Sequence, residues 1–436
     1  MYILMIVIFV LGYIGIAFEH SLKIDKAAFA LFTAVALWTV LVLGVDKLLP
    51  LQENALEFVD ESLIHHLGDI SGILFFLMGA MTVVELVDVH GGFDIITSKI
   101  TSKNKLKLLW TLSFVTFFMS AALDNLTTSI IMAALLRKLI KEKEDLWLFA
   151  GMVILAANAG GAWSPIGDVT TIMLWVGGRI TAGNIILKLL LPSLACLLVP
   201  LLLISRKVKG NVGNIRKEKV SNEIPVWEKK TVMYMGVGSL LFVPIFKSLT
   251  HLPPFMGILF ALSVMWIATE IIHRRKEDET KRKYSISGVL VRIDTPSILF
   301  FLGILVAVAA LQVGGQLTEL AQILDEKVGD IWIINTLIGI FSSLVDNVPL
   351  VAGSIGMYGL DIYAQDHIFW ELLAYCAGTG GSILIIGSAA GVAIMGILKI
   401  DFFWYFKKIS AYALAGYFSG ILVFLLQNFL FQWFLE

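Results

Sequence analysis

The chain has 436 residues, 58% of them hydrophobic and 15% charged, with a formal net charge of −1. That composition excludes an ordinary water-soluble domain, and its near-neutral balance gives no sign of a nucleic-acid partner. Apolar runs of membrane-spanning length recur from end to end, which predicts an all-α polytopic membrane protein, multi-pass, in a plasma (inner) membrane.

The first run, "MYILMIVIFVLGYIGIAF", lacks a basic leader and a small-residue cleavage site, so it reads as a retained span. Full crossings are predicted near 2–18, 27–48, 69–89, 146–177, 184–204, 231–249, 255–272, 294–312, 367–398 and 409–433. Two further apolar stretches, 106–140 and 330–358, are too polar at their centres for ordinary helices. The cysteines, Cys196 and Cys376, lie inside apolar runs without metal-ligand spacing or a disulfide framework.

Basic residues set the threading. With the N-terminus outside, 28 of the 33 Lys and Arg fall in or beside inner segments, at 19–26, around 106–140, and at 205–230, 273–292 and 399–408. Lys103, Lys105 and Lys107 precede or open 106–140 and Arg137, Lys138, Lys141 and Lys143 close or follow it, so both ends are expected in the cytoplasm. A segment with both ends on one side is a re-entrant hairpin, and "LDNLTT" is its tip. The flanks of 330–358 carry Lys327 alone, which puts that hairpin, tipped by "LVDNVPL", on the outer side.

An internal repeat explains this arrangement. "DISGILFFL" (69–77) matches "DTPSILFFL" (294–302), "SAALDN" (120–125) matches "SSLVDN" (342–347), and "NAGGAWSPIGD" (158–168) matches "GTGGSILIIGS" (378–388). Each half has five crossings and one re-entrant hairpin, and an odd number of crossings inserts the second half upside down. The expectation is two inverted-topology repeats, 1–205 and 231–436, joined by a cytoplasmic linker at 206–230, with discontinuous helices at the midplane. Those helices are 146–177 and 367–398, whose paired glycines, with Pro165 in the first, interrupt helical backbone.

Tips and breaks together assemble a polar set: Asp124, Asn125, Thr127, Thr128, Asn158, Ser164, Asp168, Thr170, Asp346, Asn347, Thr379, Ser382 and Ser388. No lysine or arginine lies within these segments, so three carboxylates need a cation or proton to balance them. Oxygen donors of this kind suit Na⁺, with Asp124, Asn125, Asn158 and Asp168 as the expected ligands. A site that holds either Na⁺ or H⁺, but not both, is sufficient for exchange. The second half carries Ser388 where Asp168 stands and Gly378 where Asn158 stands, so the half-sites are chemically unequal and the first is expected to bind the ion.

The segments "LDNLTTSIIM", "NAGGAWSPIGDVTT", "SSLVDNVP" and "GTGGSILIIGSAAG" resemble the signature segments of NhaD-type sodium/proton antiporters. They belong to an ion-transporter superfamily that also holds arsenite exporters and dicarboxylate carriers. The resemblance runs from about residue 5 to 430. It implies a secondary transporter exchanging Na⁺, with Li⁺ as a further candidate, for H⁺ by alternating access, with scaffold and transport domains and usually a homodimer. It implies no enzyme activity and no cofactor, only Na⁺ and H⁺ as transported ions. Its Asp-Asn pairs fall on Asp124/Asn125 and Asp346/Asn347.

Plainer readings stand beside these. Asp124, Asp168 and Asp346 are also good helix caps, and Thr127 and Thr128 could bond back to their own turn. His65 and His66 sit in an outer amphipathic loop as an interfacial pair, and Glu85 and Asp88 read as solvated flank. Trp147, Trp404 and Trp433 read as interface anchors. The rival function is an arsenite or organic-anion transporter on the same scaffold. A dicarboxylate site would want uncharged donors and helix N-termini at both tips.

Overall fold

The computed structural model describes residues 1–50, 52, 54–100, 102–212, 224–274 and 284–435. Its named elements are all helices, and among the described residues nine are long and apolar enough to cross a membrane. The protein is a multi-pass membrane protein. Much of the expected linker at 206–230 and of the basic loop at 273–292 lies outside the described residues, as does the side chain of Trp433.

Three expectations need correction. The stretch around His65 and His66 is no loop: Ala55–Val89 is one helix of 35 residues. At about 1.5 Å per residue it is far longer than a hydrocarbon core of about 30 Å, and its acidic first turns lack a proline that would stop them. His65 is exposed there, beside Asp69. Trp147 is not an interface anchor; it is 7% exposed, donates to the Leu398 carbonyl at 3.2 Å and meets Trp404 edge-on. The run at 2–18 is not among the helices of spanning length, since Tyr2–Ala17 has 16 residues, whereas Lys105–Leu123, the first leg of the first hairpin, has 19 and is long enough to span.

Both hairpins nevertheless bring their ends together. Lys105, at the start of the first, pairs with Asp145 and lies 3.8 Å from Glu142, just beyond its second leg Asn125–Leu139. In the second, Ile331–Phe341 and Asn347–Met357 are short, and the Tyr358 hydroxyl after them donates to Asp325 before them at 3.0 Å.

The helices pack as two groups. In one, Lys26–Leu43 lies against Tyr2–Ala17 and along Thr295–Val313, while Ala55–Val89 packs with Val226–Thr250 and Pro254–His273. In the other, Lys105–Leu123 and Asn125–Leu139 pack on Lys143–Ala162, Ile331–Phe341 packs on Ile368–Gly380, and Ala182–Ser205 packs along Ser410–Leu435.

Within the second group the repeat returns as packing. A Cβ on Gly160 would strike the backbone of Phe117, and one on Gly380 the backbone of Gly339. Ser120 Oγ donates to the Ala157 carbonyl at 2.6 Å and Ser342 Oγ to the Ala377 carbonyl at 2.9 Å. Each hairpin is thus held by its serine against the helix that leads into the adjacent break, at a distance only glycine permits.

Candidate functional site

Four helix beginnings converge between the groups. Asp124 caps Asn125–Leu139, Asp168 caps Val169–Val176, Asp346 caps Asn347–Met357 and Ser388 caps Ala389–Leu398. Helix N-termini carry partial positive charge, which favours the capping carboxylates. The capping reading is therefore correct for these positions, and it coexists with a shared site.

Asp168 is the hub of that site. One carboxylate oxygen accepts from the Thr170 amide at 2.9 Å and hydroxyl at 3.0 Å, the other from Asn125 Nδ2 at 2.6 Å, and Asn347 Nδ2 stands 3.4 Å from both. Asn158 connects the halves: its Oδ1 accepts from Asn125 at 3.1 Å and its Nδ2 donates to Ser382 at 2.8 Å and Ser388 at 2.9 Å. Asp168 is 1% exposed and Asn158 is fully buried, and charge-assisted bonds of this kind are the stronger class. Nearby, Asp124 accepts from the Thr127 amide at 2.7 Å and hydroxyl at 2.8 Å.

The unequal halves thus form one composite site. An atom added at Gly378 would lie 3.2 Å from Ala162 Cβ and 3.9 Å from the Asp168 carboxylate, so the missing side chain leaves room for the single aspartate. Thr128, Ser164 and Thr379 are not part of the cluster. Thr379 bonds back to the Tyr375 carbonyl, Ser164 ties the first break to the Ala121 carbonyl, and the buried Thr128 hydroxyl has no hydrogen-bond partner among the described residues.

A residue missed by the sequence reading completes the site. Lys26, from the first group, places Nζ 2.7 Å from Asp346 Oδ2 and 4.2 Å from the centre of the Phe300 ring. Asp346 is therefore not an uncompensated charge. The available signal was a lysine opening an apolar run, "KAAFALFTAVALW", which is uncommon unless the charge is paired.

Lys26, Asp124, Asp168 and Asp346 all line a small cavity of about 70 Å³, roofed by Met81, Leu240 and Phe301. A second, open cavity of about 500 Å³ shares Lys26 and Asp346 with it, and carries Glu19, Asp25 and Asp294 in its wall. The small cavity is thus the inner end of a vestibule lined by acidic groups. Glu85 and Asp88 line neither.

Comparison with known proteins shows the family. Residues 13–375 match the family described as citrate transporter. Sodium/proton antiporter 1 of Arabidopsis thaliana is 48% identical over 97% of this chain and 72% of its own length. Sodium/proton antiporter 2 of the same plant is 44% identical over 98% of this chain and all of its own length. The Na⁺/H⁺ antiporter NhaD of Vibrio cholerae is 30% identical over 97% of this chain and 91% of its own. The chain belongs to this transporter family, on its NhaD-type antiporter branch.

Proposed function

We propose that the protein exchanges Na⁺ for H⁺ by alternating access, with Li⁺ as a second candidate cargo, at the site formed by Asp124, Asn125, Asn158 and Asp168. One observation carries the reading: Asp124, Asp168 and Asp346 line one small cavity whose sole basic lining residue, Lys26, is already engaged by Asp346. With all of them ionised, Asp124 and Asp168 leave negative charge in excess. A hard monovalent cation balances it through carboxylate and amide oxygens, and protons balance it by titration. Occupancy by one excludes the other.

The family description favours a second reading, an organic anion such as citrate. The charge of the cavity opposes it, since a carboxylate substrate would face Asp124 and Asp168 with Lys26 already occupied. Arsenite, uncharged at neutral pH, finds no thiol among the lining residues, whose one sulfur is the Met81 thioether.

Both hairpins are proposed to be re-entrant, and the vestibule to open to the cytoplasm, because Glu19, Asp25 and Asp294 adjoin segments that the basic residues assign there. The test is proton movement in vesicles containing the purified protein, driven in turn by Na⁺, Li⁺, K⁺, citrate and arsenite. Exchange with Na⁺ is expected, and proton flux coupled to citrate alone would overturn the assignment.

A further inference from the structure

Away from the transport site, the first group of helices holds a second convergence of chemistry-bearing side chains. His90 follows the end of Ala55–Val89, Glu228 lies in the first turn of Val226–Thr250, and His273 is the last residue of Pro254–His273. None is more than 1% exposed. Two Nε2 atoms and one carboxylate oxygen meet there: His90 Nε2 is 3.3 Å from His273 Nε2, and Glu228 Oε1 lies 2.9 Å from the latter and 3.9 Å from the former. The imidazole rings are nearly parallel, 6° apart, with their Nε2 edges together.

We propose that His90, Glu228 and His273 bind one divalent transition-metal ion of the Zn²⁺ class. The argument is dimensional first. Ligand atoms about 2.0–2.1 Å from a tetrahedral ion stand about 3.3 Å from one another, and three edges of 2.9, 3.3 and 3.9 Å surround that value. The second argument is orientation. His90 Nδ1 lies 2.7 Å from the Leu86 carbonyl, a bond that places the proton on Nδ1 and turns Nε2, with its lone pair, toward the cluster. Metal-bound histidines characteristically make such a bond.

The donor set is third. Two imidazoles and one carboxylate suit Zn²⁺, Co²⁺ or Ni²⁺, whereas Na⁺ and Mg²⁺ prefer oxygen donors. The turn that carries His90 is built for close packing: Gly91 has φ +67°, and a Cβ there would approach Asp94 and Lys229, which pair at 3.4 Å. Bound metal joins three span ends within one group and leaves the cavity at Asp168 untouched.

Purified full-length protein, stripped with chelator, would be titrated with Co²⁺ and followed by its visible ligand-field absorption and by thermal melting. One Co²⁺ per chain with a Kd of about 1 µM or tighter is expected, displaced by Zn²⁺ and not by Mg²⁺. Glu228→Gln and His273→Asn are each expected to weaken binding at least about 100-fold and to abolish the metal-dependent rise in melting temperature. Basal ion exchange in metal-free vesicles should be unchanged. Two results overturn the proposal: folded wild-type protein that takes up no Co²⁺ or Zn²⁺, or binding that both variants retain at wild-type affinity. The wild-type measurement decides the matter even where a variant fails to fold.

Discussion

Asp168 accepts from donors supplied by both halves of the chain, so neutralising it should act differently from neutralising an ordinary cap. Asp168→Asn and Asp124→Asn keep shape but remove a titratable charge. Both variants are expected to insert and fold and to lose Na⁺/H⁺ exchange in vesicles to the level of protein-free controls. Measurable exchange by correctly folded Asp124→Asn would remove that residue from the mechanism. Lys26→Met should act through stability as well, because it removes the ammonium partner of the partly buried Asp346 carboxylate. Breaking one partner of a buried pair costs about 3–5 kcal/mol, and the 24% and 16% exposure of these side chains puts the expected loss nearer 2 kcal/mol. The double variant Lys26→Met with Asp346→Asn should recover most of it in denaturant unfolding. Asn158 and Asp168 were legible because the glycines and Pro165 flag a break nearby, although the helix runs through Asn158, Gly160 and Gly161 to Ala162 and the interruption falls at 163–168. The sequence hid Lys26, whose partner is 320 positions away, and it misplaced Thr128 and Thr379, since the phase of a helix near a break decides which hydroxyl faces the cavity.

The helices and hairpins were legible to the extent that local pattern governs them. Apolar length located most of the spans, though Tyr2–Ala17 falls short of spanning length and 367–398 is divided, and the serine and glycine contacts of the hairpins emerged only from the packing. The 35-residue helix Ala55–Val89 was not legible as one element, because its polar first turns follow helical chemistry outside the apolar stretch. The glycine seams predict that Gly160→Ala and Gly380→Ala force hairpin and broken helix apart. Overpacking of this kind costs about 1–3 kcal/mol, and here the obstacle is backbone, so melting temperatures should fall at the upper end of that range. Threading is tested independently: cysteines replacing Lys103 and Lys143 should both be labelled by an impermeant thiol reagent from the cytoplasm, and one replacing Lys327 from outside. Labelling of Lys103 and Lys143 positions from opposite sides would show that 106–140 crosses.

Across the whole molecule, the proposed exchange makes Na⁺ and H⁺ interact through a single occupancy. Apparent Na⁺ affinity should weaken as pH falls, by about tenfold per unit for each competing proton once the pH is below the pKa of the site. A slope of one on a log–log plot marks one exchangeable proton, and a slope approaching two marks coupled titration of Asp124 and Asp168. Calorimetric Na⁺ binding that stays constant over three pH units would require separate sites.

Lys26 opens a helix of the first group, whereas Asp346 stands at the tip of the hairpin whose other leg, Ile331–Phe341, packs in the second, and this has a bearing on slippage. Any sliding that separates these elements must pull the ammonium from the carboxylate, and a separation of a few ångströms leaves two partly buried charges without their partners. An empty carrier attempting the return stroke meets that barrier in full. A carrier loaded beside Asp346 meets less of it, because the bound ion or proton supplies part of what Lys26 withdraws. Weakening the pair should therefore show first as an uncoupled leak, with Na⁺ running down its gradient without a matching flow of protons, before it shows as a loss of turnover.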